Sequence, residues 1–312
     1  MVEETQPEYT RLLDPDALAK VHRLELIARG AVEGFISGRH KSCYKGASVE
    51  FAEHRQYVAG DDIKLLDWRV YARTDRYYIK EFLEETNLRA TILLDASGSM
   101  GYRGDHAARY DGKRLSKLEY GKYLAATLMH LMVYQQDAVG LVTFDNKMRR
   151  YIPARSVVTH LRTMLEELMN TSPGDETDLA PIFHDIAERI HRRGLVIIIS
   201  DLFDEPEEIL NCFHHFRYRK HELIIFHVMA QEELTFPFTG QSKFEDLEIA
   251  DRTLQLDAGA VRAEYLDRVR AFVRQIEVGC GTMRVDYVPV CTANSFDVAL
   301  SDYLARRRRR AK

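Results

Sequence analysis

The chain has 312 residues, 46% hydrophobic and 29% charged, with a formal net charge of −4. That balance suits a globular protein with room for one large α/β domain and a smaller module, and it excludes a general electrostatic attraction to nucleic acid. No apolar run reaches the roughly 18 residues that span a bilayer, the N-terminus is unlike a signal peptide, and four scattered cysteines without a C-x-x-C pair fit reduced thiols, so the expected location is cytoplasmic.

The first predicted element is an amphipathic helix over Asp16–Ile36, with Leu18, Val21, Leu24, Ile27, Val32 and Phe35 at three- and four-residue steps. Asp14 is placed to cap it and Pro15 to open it. Residues 37–46 read as a loop. Residues 47–88 read as short strands and turns, with a turn at Gly60-Asp61-Asp62 and a strand over Tyr77–Phe82. Trp68, Tyr71 and Phe82 are expected in a core, and residues 1–88 form the first predicted region, a helix plus a small β-rich module.

From residue 89 to 230 the pattern alternates β and α. Strands are predicted at Ala90–Leu94, Ala138–Phe144, Met148–Ile152, Leu195–Ser200 and Leu223–Val228. Helices are predicted at Leu115–Tyr134, Val157–Leu168, Ala180–His191 and Glu207–Phe216. This alternation predicts an α/β fold with a doubly wound, mostly parallel sheet flanked by helices. Residues 231–312 are read as a C-terminal extension. It holds a hairpin over Leu247–Leu256, a helix over Ala260–Glu277, a strand over Met283–Val290 and a helix over Ser295–Arg306. It ends in the five-arginine run Arg306–Arg310, a solvated end that offers an acidic surface a contact.

Ligands of open α/β sheets bind beyond the carboxyl ends of the strands. Two predicted strands end there in aspartate, Asp95 and Asp201. After Asp95 come Ser97 and Ser99 with Gly98 between them, and Thr177 lies in a polar loop that opens a helix. Each of these side chains taken alone reads as a cap or turn residue. Together they form an all-oxygen donor set suited to Mg²⁺ or Mn²⁺. His214, His215, His221 and His227 contain no i, i+4 pair and are not read as a second metal site.

Asp95-x-Ser97-x-Ser99, then Thr177, then Asp201 resembles the metal-ion-dependent adhesion site of von Willebrand factor A domains. Upstream, Arg55-x-Tyr57, Gly60-Asp61-Asp62, Asp67-Trp68, Tyr71-Ala72-Arg73-Thr74-Asp75 and Lys80-Glu81-Phe82 resemble the signature of the bacterial family called domain of unknown function 58. The first resemblance implies a Rossmann-like A-type domain whose ion accepts a carboxylate from a protein partner. The second implies a MoxR-type AAA+ ATPase as that partner. The expected function is therefore a metal-dependent binding module, an adaptor rather than an enzyme.

The alternative is a Mg²⁺-dependent hydrolase such as a phosphatase. A haloacid-dehalogenase-like loop needs a carboxylate two residues after the first aspartate, where this chain has Ser97, and a hydroxyl does not do that proton work near neutral pH. Neither a G-x-S-x-G elbow nor a Walker A loop is present.

Overall fold

The structure is a computed structural model that describes residues 49–58, 66–84, 88–110, 112–174, 179–247, 252–296, 298–301, 303 and 305. These fall into two compact units, one within residues 35–87 and one from residue 88 onward. The expected helix at Asp16–Ile36, the loop at 37–46, the turn at Gly60-Asp61-Asp62 and the arginines at 306–310 lie outside the described residues.

In the smaller unit, β1 (Val49–Gln56) pairs antiparallel with β2 (Tyr78–Glu84), with an irregularity between Phe51 and Glu53. Between them lies α1 (Trp68–Thr74), a helix where the sequence reading expected only strands and turns. Its cause is local. The Asp67 carboxylate accepts from the backbone N–H groups of Arg69 and Val70 at 2.9 and 3.3 Å, which is an N-cap. Asp75 ends the helix in the left-handed region, at φ 54°. Trp68 is the first residue of this helix and is 59% exposed, which corrects its expected burial. It stands edge-on to Tyr71, whose ring stacks on Tyr77 at 4.5 Å. The side chain of Phe82 lies outside the described residues.

The larger unit is a mixed α/β structure around a six-stranded sheet. Its strands are β3 (Arg89–Asp95), β6 (Ala138–Phe144), β7 (Met148–Arg155), β8 (Leu195–Ser200), β9 (Glu222–Met229) and β12 (Asp286–Cys291). The order across the sheet is β12-β9-β8-β3-β6-β7, parallel throughout except for the antiparallel edge strand β7. A short antiparallel pair, β4 (Arg109–Tyr110) and β5 (Lys113–Arg114), stands apart from it.

Two core layers explain why the central strands read as continuous apolar runs rather than alternating ones. Ile92, Leu94, Ile197 and Ile199 face a core shared with α2 (Lys117–Tyr134) and α3 (Val158–Asn170). Leu93, Val196 and Ile198 point the other way, toward α4 (Leu179–Arg189) and α5 (Pro206–Tyr218). A strand covered on both faces has no polar side to show. Gly140, inside β6, sits where the register with β7 slips. A Cβ there would lie 2.6 Å from the Ile152 carbonyl oxygen and 2.7 Å from the Ala154 nitrogen, so only glycine permits the approach.

Beyond residue 230 come α6 (Gln231–Thr235), a hairpin of β10 (Gln241–Glu245) and β11 (Thr253–Asp257), and the long helix α7 (Ala258–Met283). The hairpin thus begins earlier than the Leu247–Leu256 expectation. The strand expected near Met283–Val290 is β12, an edge of the main sheet, so the residues read as an extension complete the sheet of the larger unit. Helical residues follow at 296, 298–301, 303 and 305, with Phe296, Leu300 and Tyr303 buried in the α2-side core.

The arrangement that positions the site is the β3–β8 pairing. The two strands run parallel, with Leu94 opposite Ile199. Asp95 and the Ser200-Asp201 pair therefore leave the sheet side by side at its carboxyl edge.

Candidate metal site

Asp95 is the last residue of β3 and is 1% exposed. Each of its oxygens is held: Oδ1 accepts from the Ser97 N–H at 2.9 Å, and Oδ2 from the Ser200 hydroxyl at 2.5 Å. Burial, and then the negative charge of Asp201, push its carboxyl up to about 7 against those hydrogen bonds. The chain then turns tightly. The Ser97 and Ser99 hydroxyl oxygens lie 3.0 Å apart, and Ser99–Gly101 makes one turn of 3-10 helix.

Asp201 follows β8 and is buried. Its Oδ2 accepts from the Lys117 ammonium at 2.7 Å. Its Oδ1 is also buried and has no hydrogen-bond partner among the described residues. Its backbone carbonyl is 2.9 Å from His227 Nε2, and His227 Nδ1 is 2.6 Å from the Tyr287 hydroxyl. A carbonyl only accepts, so Nε2 carries the proton and Nδ1 accepts from Tyr287. Burial pulls the His227 imidazole down to about 4, so this side chain positions Asp201 as a neutral group. Leu202 comes next in the left-handed region at φ 52°, with its N–H on the Ser200 hydroxyl oxygen.

Lys117 opens α2. The turn before it is fixed by a capping box, in which Ser116 Oγ accepts from Glu119 N–H while Glu119 Oε2 accepts from Ser116 N–H. The Lys117 ammonium also donates to Glu233 Oε1 at 2.6 Å, and Glu233 Oε2 accepts from the Ala230 N–H at the start of α6. Burial alone would lower this amine, but Asp201 and Glu233 outweigh it and hold it above the ordinary lysine range.

Of the five residues singled out from the sequence, Asp95, Ser97, Ser99 and Asp201 come together at one sheet edge. Thr177 lies outside the described residues, but Gly174, three positions before it, donates its N–H to the Ala96 carbonyl at 2.8 Å. The loop leading to Thr177 therefore starts beside the Asp95–Ser99 turn. Sequence reasoning missed Ser200, Lys117 and Glu233. Ser200 carried a signal, as the hydroxyl residue preceding the strand-end aspartate. Lys117 and Glu233 carried none, because a lysine at a helix start and a glutamate in a Gln-Glu-Glu run both read as solvated.

Among the described residues, no group of three or more histidine, cysteine, aspartate or glutamate side chains is gathered as metal ligands. The donor set here is of another kind: two carboxylates and two hydroxyls, all hard oxygens, with one buried carboxylate oxygen left unpaired. That chemistry fits a hard divalent ion and not a soft one. His221 and His227 are buried side chains outside this donor set. Cys212, Cys280 and Cys291 are free thiols.

Residues 53–274 match the model of the family described as Protein of unknown function DUF58. Uncharacterized protein Rv1480 of Mycobacterium tuberculosis is 26% identical over 280 residues, which cover 86% of this chain and 83% of that protein. Uncharacterized protein Mb1516 of Mycobacterium bovis matches to the same extent. Among solved structures, conserved hypothetical protein BatB from Bacteroides thetaiotaomicron is 17% identical with a TM-score of 0.47, over 70% of this chain and 98% of that one. An aerotolerance-related membrane protein from Bacteroides fragilis is 17% identical with a TM-score of 0.45, over 70% and 99%. An uncharacterized membrane spanning protein from Vibrio fischeri is 14% identical with a TM-score of 0.22, over 69% and 96%. The last two are described as membrane proteins, and the cytoplasmic location expected from the sequence is not retained. Among the described residues no helix is long and apolar enough to cross a membrane.

Proposed function

We propose that this chain, which belongs to the DUF58 family, is a metal-dependent protein-binding module built on a von Willebrand factor A-like domain. The observation that carries this reading is the pairing of Ser97 and Ser99 hydroxyls, 3.0 Å apart, with the buried Asp95 and Asp201 carboxylates at one sheet edge. In this reading Ser97, Ser99 and Thr177 would hold Mg²⁺ or Mn²⁺, with Asp95 and Asp201 supplying the charge. A bound divalent ion supplies electrophilicity toward one more oxygen ligand.

The chain's own residues set the conditions for that contact. Ser97 N–H and Ser200 Oγ fix the Asp95 carboxylate. His227 fixes the backbone of Asp201. Hydroxyls add no negative charge, so the site favours an outside carboxylate, which a partner's aspartate or glutamate provides with direction as well as charge. The resemblance noted in the sequence supplies the class of partner, a MoxR-type AAA+ ATPase. No residue is assigned to catalysis: Ser97 stands where the phosphatase alternative needs an acid, and the Lys117 ammonium is engaged by two carboxylates.

The test is a titration of the full chain with Mn²⁺ by calorimetry, followed by capture of the purified ATPase in Mg²⁺ and in chelator. The reading expects saturable Mn²⁺ binding and capture only with metal. Undiminished capture in chelator, or turnover of phosphate esters lost in Asp95→Asn, would replace it.

A further inference from the structure

Lys117 is placed against three physical preferences at once. It is the first residue of α2, and the N-terminus of a helix is the positive pole, where a cation is disfavoured. Its side chain is 2% exposed, and burying an ammonium is costly unless it is paired and hydrogen-bonded. It also stands beside the residues proposed to take a divalent cation. Such a residue persists only where specific partners hold it, and functional sites are where local rules are broken in this way.

The partners are unequal in freedom. Asp201 is held from behind by His227 on its backbone carbonyl, and it offers Lys117 one oxygen while its Oδ1 has no partner among the described residues. Glu233 is pinned by the Ala230 N–H on its second oxygen and is part-exposed. The ammonium therefore has two carboxylate anchors, one inside the candidate site and one at its margin. Glu232, the adjacent residue, is turned elsewhere: its Oε1 accepts from the His106 N–H at 2.9 Å.

We infer that Lys117 is the resident cation of this site: its ammonium neutralises Asp201 when no divalent ion does, competes with that ion for the carboxylate, and can remain on Glu233 when the ion takes Asp201. This inference rests on the metal-binding reading above. It gives the site two properties. The fold does not depend on metal, because Asp201 is neutralised either way. Metal affinity is lower than the oxygen donors alone would give, because every binding event works against a fixed positive charge a few ångströms away.

The test uses Mn²⁺ titration of the full chain by calorimetry, with thermal melts in excess chelator, on wild type, Lys117→Met and the double variant Lys117→Met/Glu233→Gln. The double variant keeps the local net charge of the wild type, because it removes the ammonium from Asp201 together with the Glu233 carboxylate that also pairs with it. Both variants are expected to bind Mn²⁺ about tenfold tighter than wild type. Both are expected to melt lower in chelator and to regain most of that loss in Mn²⁺. Lys117→Arg, which keeps the charge, should show no gain in affinity. Wild-type binding with unchanged or weaker affinity in the double variant would overturn the inference and leave Lys117 as a structural pair. Silence in wild type but binding in the variants would support it strongly. Silence in all of them would mean that the metal-binding reading has failed, and the inference with it. If Lys117→Met alone does not fold in chelator, the double variant decides.

Discussion

The Lys117 ammonium donates to Asp201 Oδ2 at 2.7 Å, with both side chains sealed from solvent. Asp201→Ala breaks this buried ion pair, which is strongly destabilising because the other charge stays buried. Two features temper the loss. Glu233 still holds the ammonium, and removing Asp201 relieves the repulsion that helps push the Asp95 carboxyl up to about 7. The expected cost is about 3 kcal/mol in chelator, near the low end for breaking a buried pair. Urea denaturation of wild type and variant in chelator checks it. A variant as stable as wild type would show that relief of the Asp95–Asp201 repulsion outweighs the ion pair.

Two buried groups push the pH dependence of stability in opposite directions. Asp95 has a folded-state value of about 7, above the usual carboxylate range, so the native state binds its proton more tightly than the unfolded chain does. Stability from this group is greatest in acid and falls as pH rises from about 4 to about 7. His227, at about 4, is depressed below its ordinary 6.5, so its contribution is present above pH 6.5 and is lost as pH falls toward 4. In chelator, wild type is expected to show a shallow profile between pH 4.5 and 7. Asp95→Asn removes the first effect and should lose stability steadily on acidification. His227→Gln removes the second and should gain stability over the same range. Thermal melts across that range give the answer, and parallel profiles for all three proteins would refute both assignments.

Ser97 and Ser99 separate binding from folding. The Asp95 oxygens are held chiefly by the Ser97 backbone N–H and the Ser200 hydroxyl, with the Ser97 hydroxyl adding a smaller contribution. Ser97→Ala and Ser99→Ala should therefore leave the turn intact. Ser99 is half-buried in a loop, and its loss is expected to cost within about 0.5 kcal/mol. Ser97 is sealed, so its loss should cost about 1 kcal/mol. Both should weaken Mn²⁺ binding. Calorimetry beside melts in chelator distinguishes the two effects. Wild-type affinity in both variants would make these serines turn residues only.

The alternating apolar runs and helical periodicities were enough to read the parallel sheet, because each central strand is covered on both faces and has to be apolar throughout. Asp95 and Asp201 were legible for a related reason: a carboxylate directly after such a run sits at the ligand edge of the sheet. What the sequence could not convey was burial created by distant chain. Lys117 is polar, opens a helix and follows a capping serine, and its partners Asp201 and Glu233 come from 84 and 116 residues further along the chain. The placement of β12 was hidden for the same reason: nothing local in Asp286–Cys291 says that its neighbour is β9. Helix α1 was missed because its signals are two short caps at Asp67 and Asp75 and it buries no residue, so no apolar stripe marks it.

Phe203 bears on what the site holds. It follows Asp201-Leu202, two residues from the carboxylate, and is 73% exposed while Leu202 is fully buried. The division is made by the backbone: Leu202 adopts φ 52°, a conformation costly for a branched side chain, and the Asp204 N–H returns to the Leu202 carbonyl at 2.9 Å. The turn drives one apolar residue inward and stands the next in solvent beside the candidate metal site. The Phe203 ring is mostly exposed, so Phe203→Ser should change stability by no more than about 0.5 kcal/mol and leave Mn²⁺ affinity at the wild-type value. If a partner that presents a carboxylate to the ion also covers this exposed ring, loss of the aromatic anchor would cost the interface about 1–2 kcal/mol, roughly five- to thirtyfold in Kd. The check is surface plasmon resonance of the purified ATPase over wild type and Phe203→Ser in Mg²⁺, with calorimetry on both. Equal affinities would move the contact away from this loop, and a variant that lost metal binding would show that the turn, rather than the ring, was disturbed.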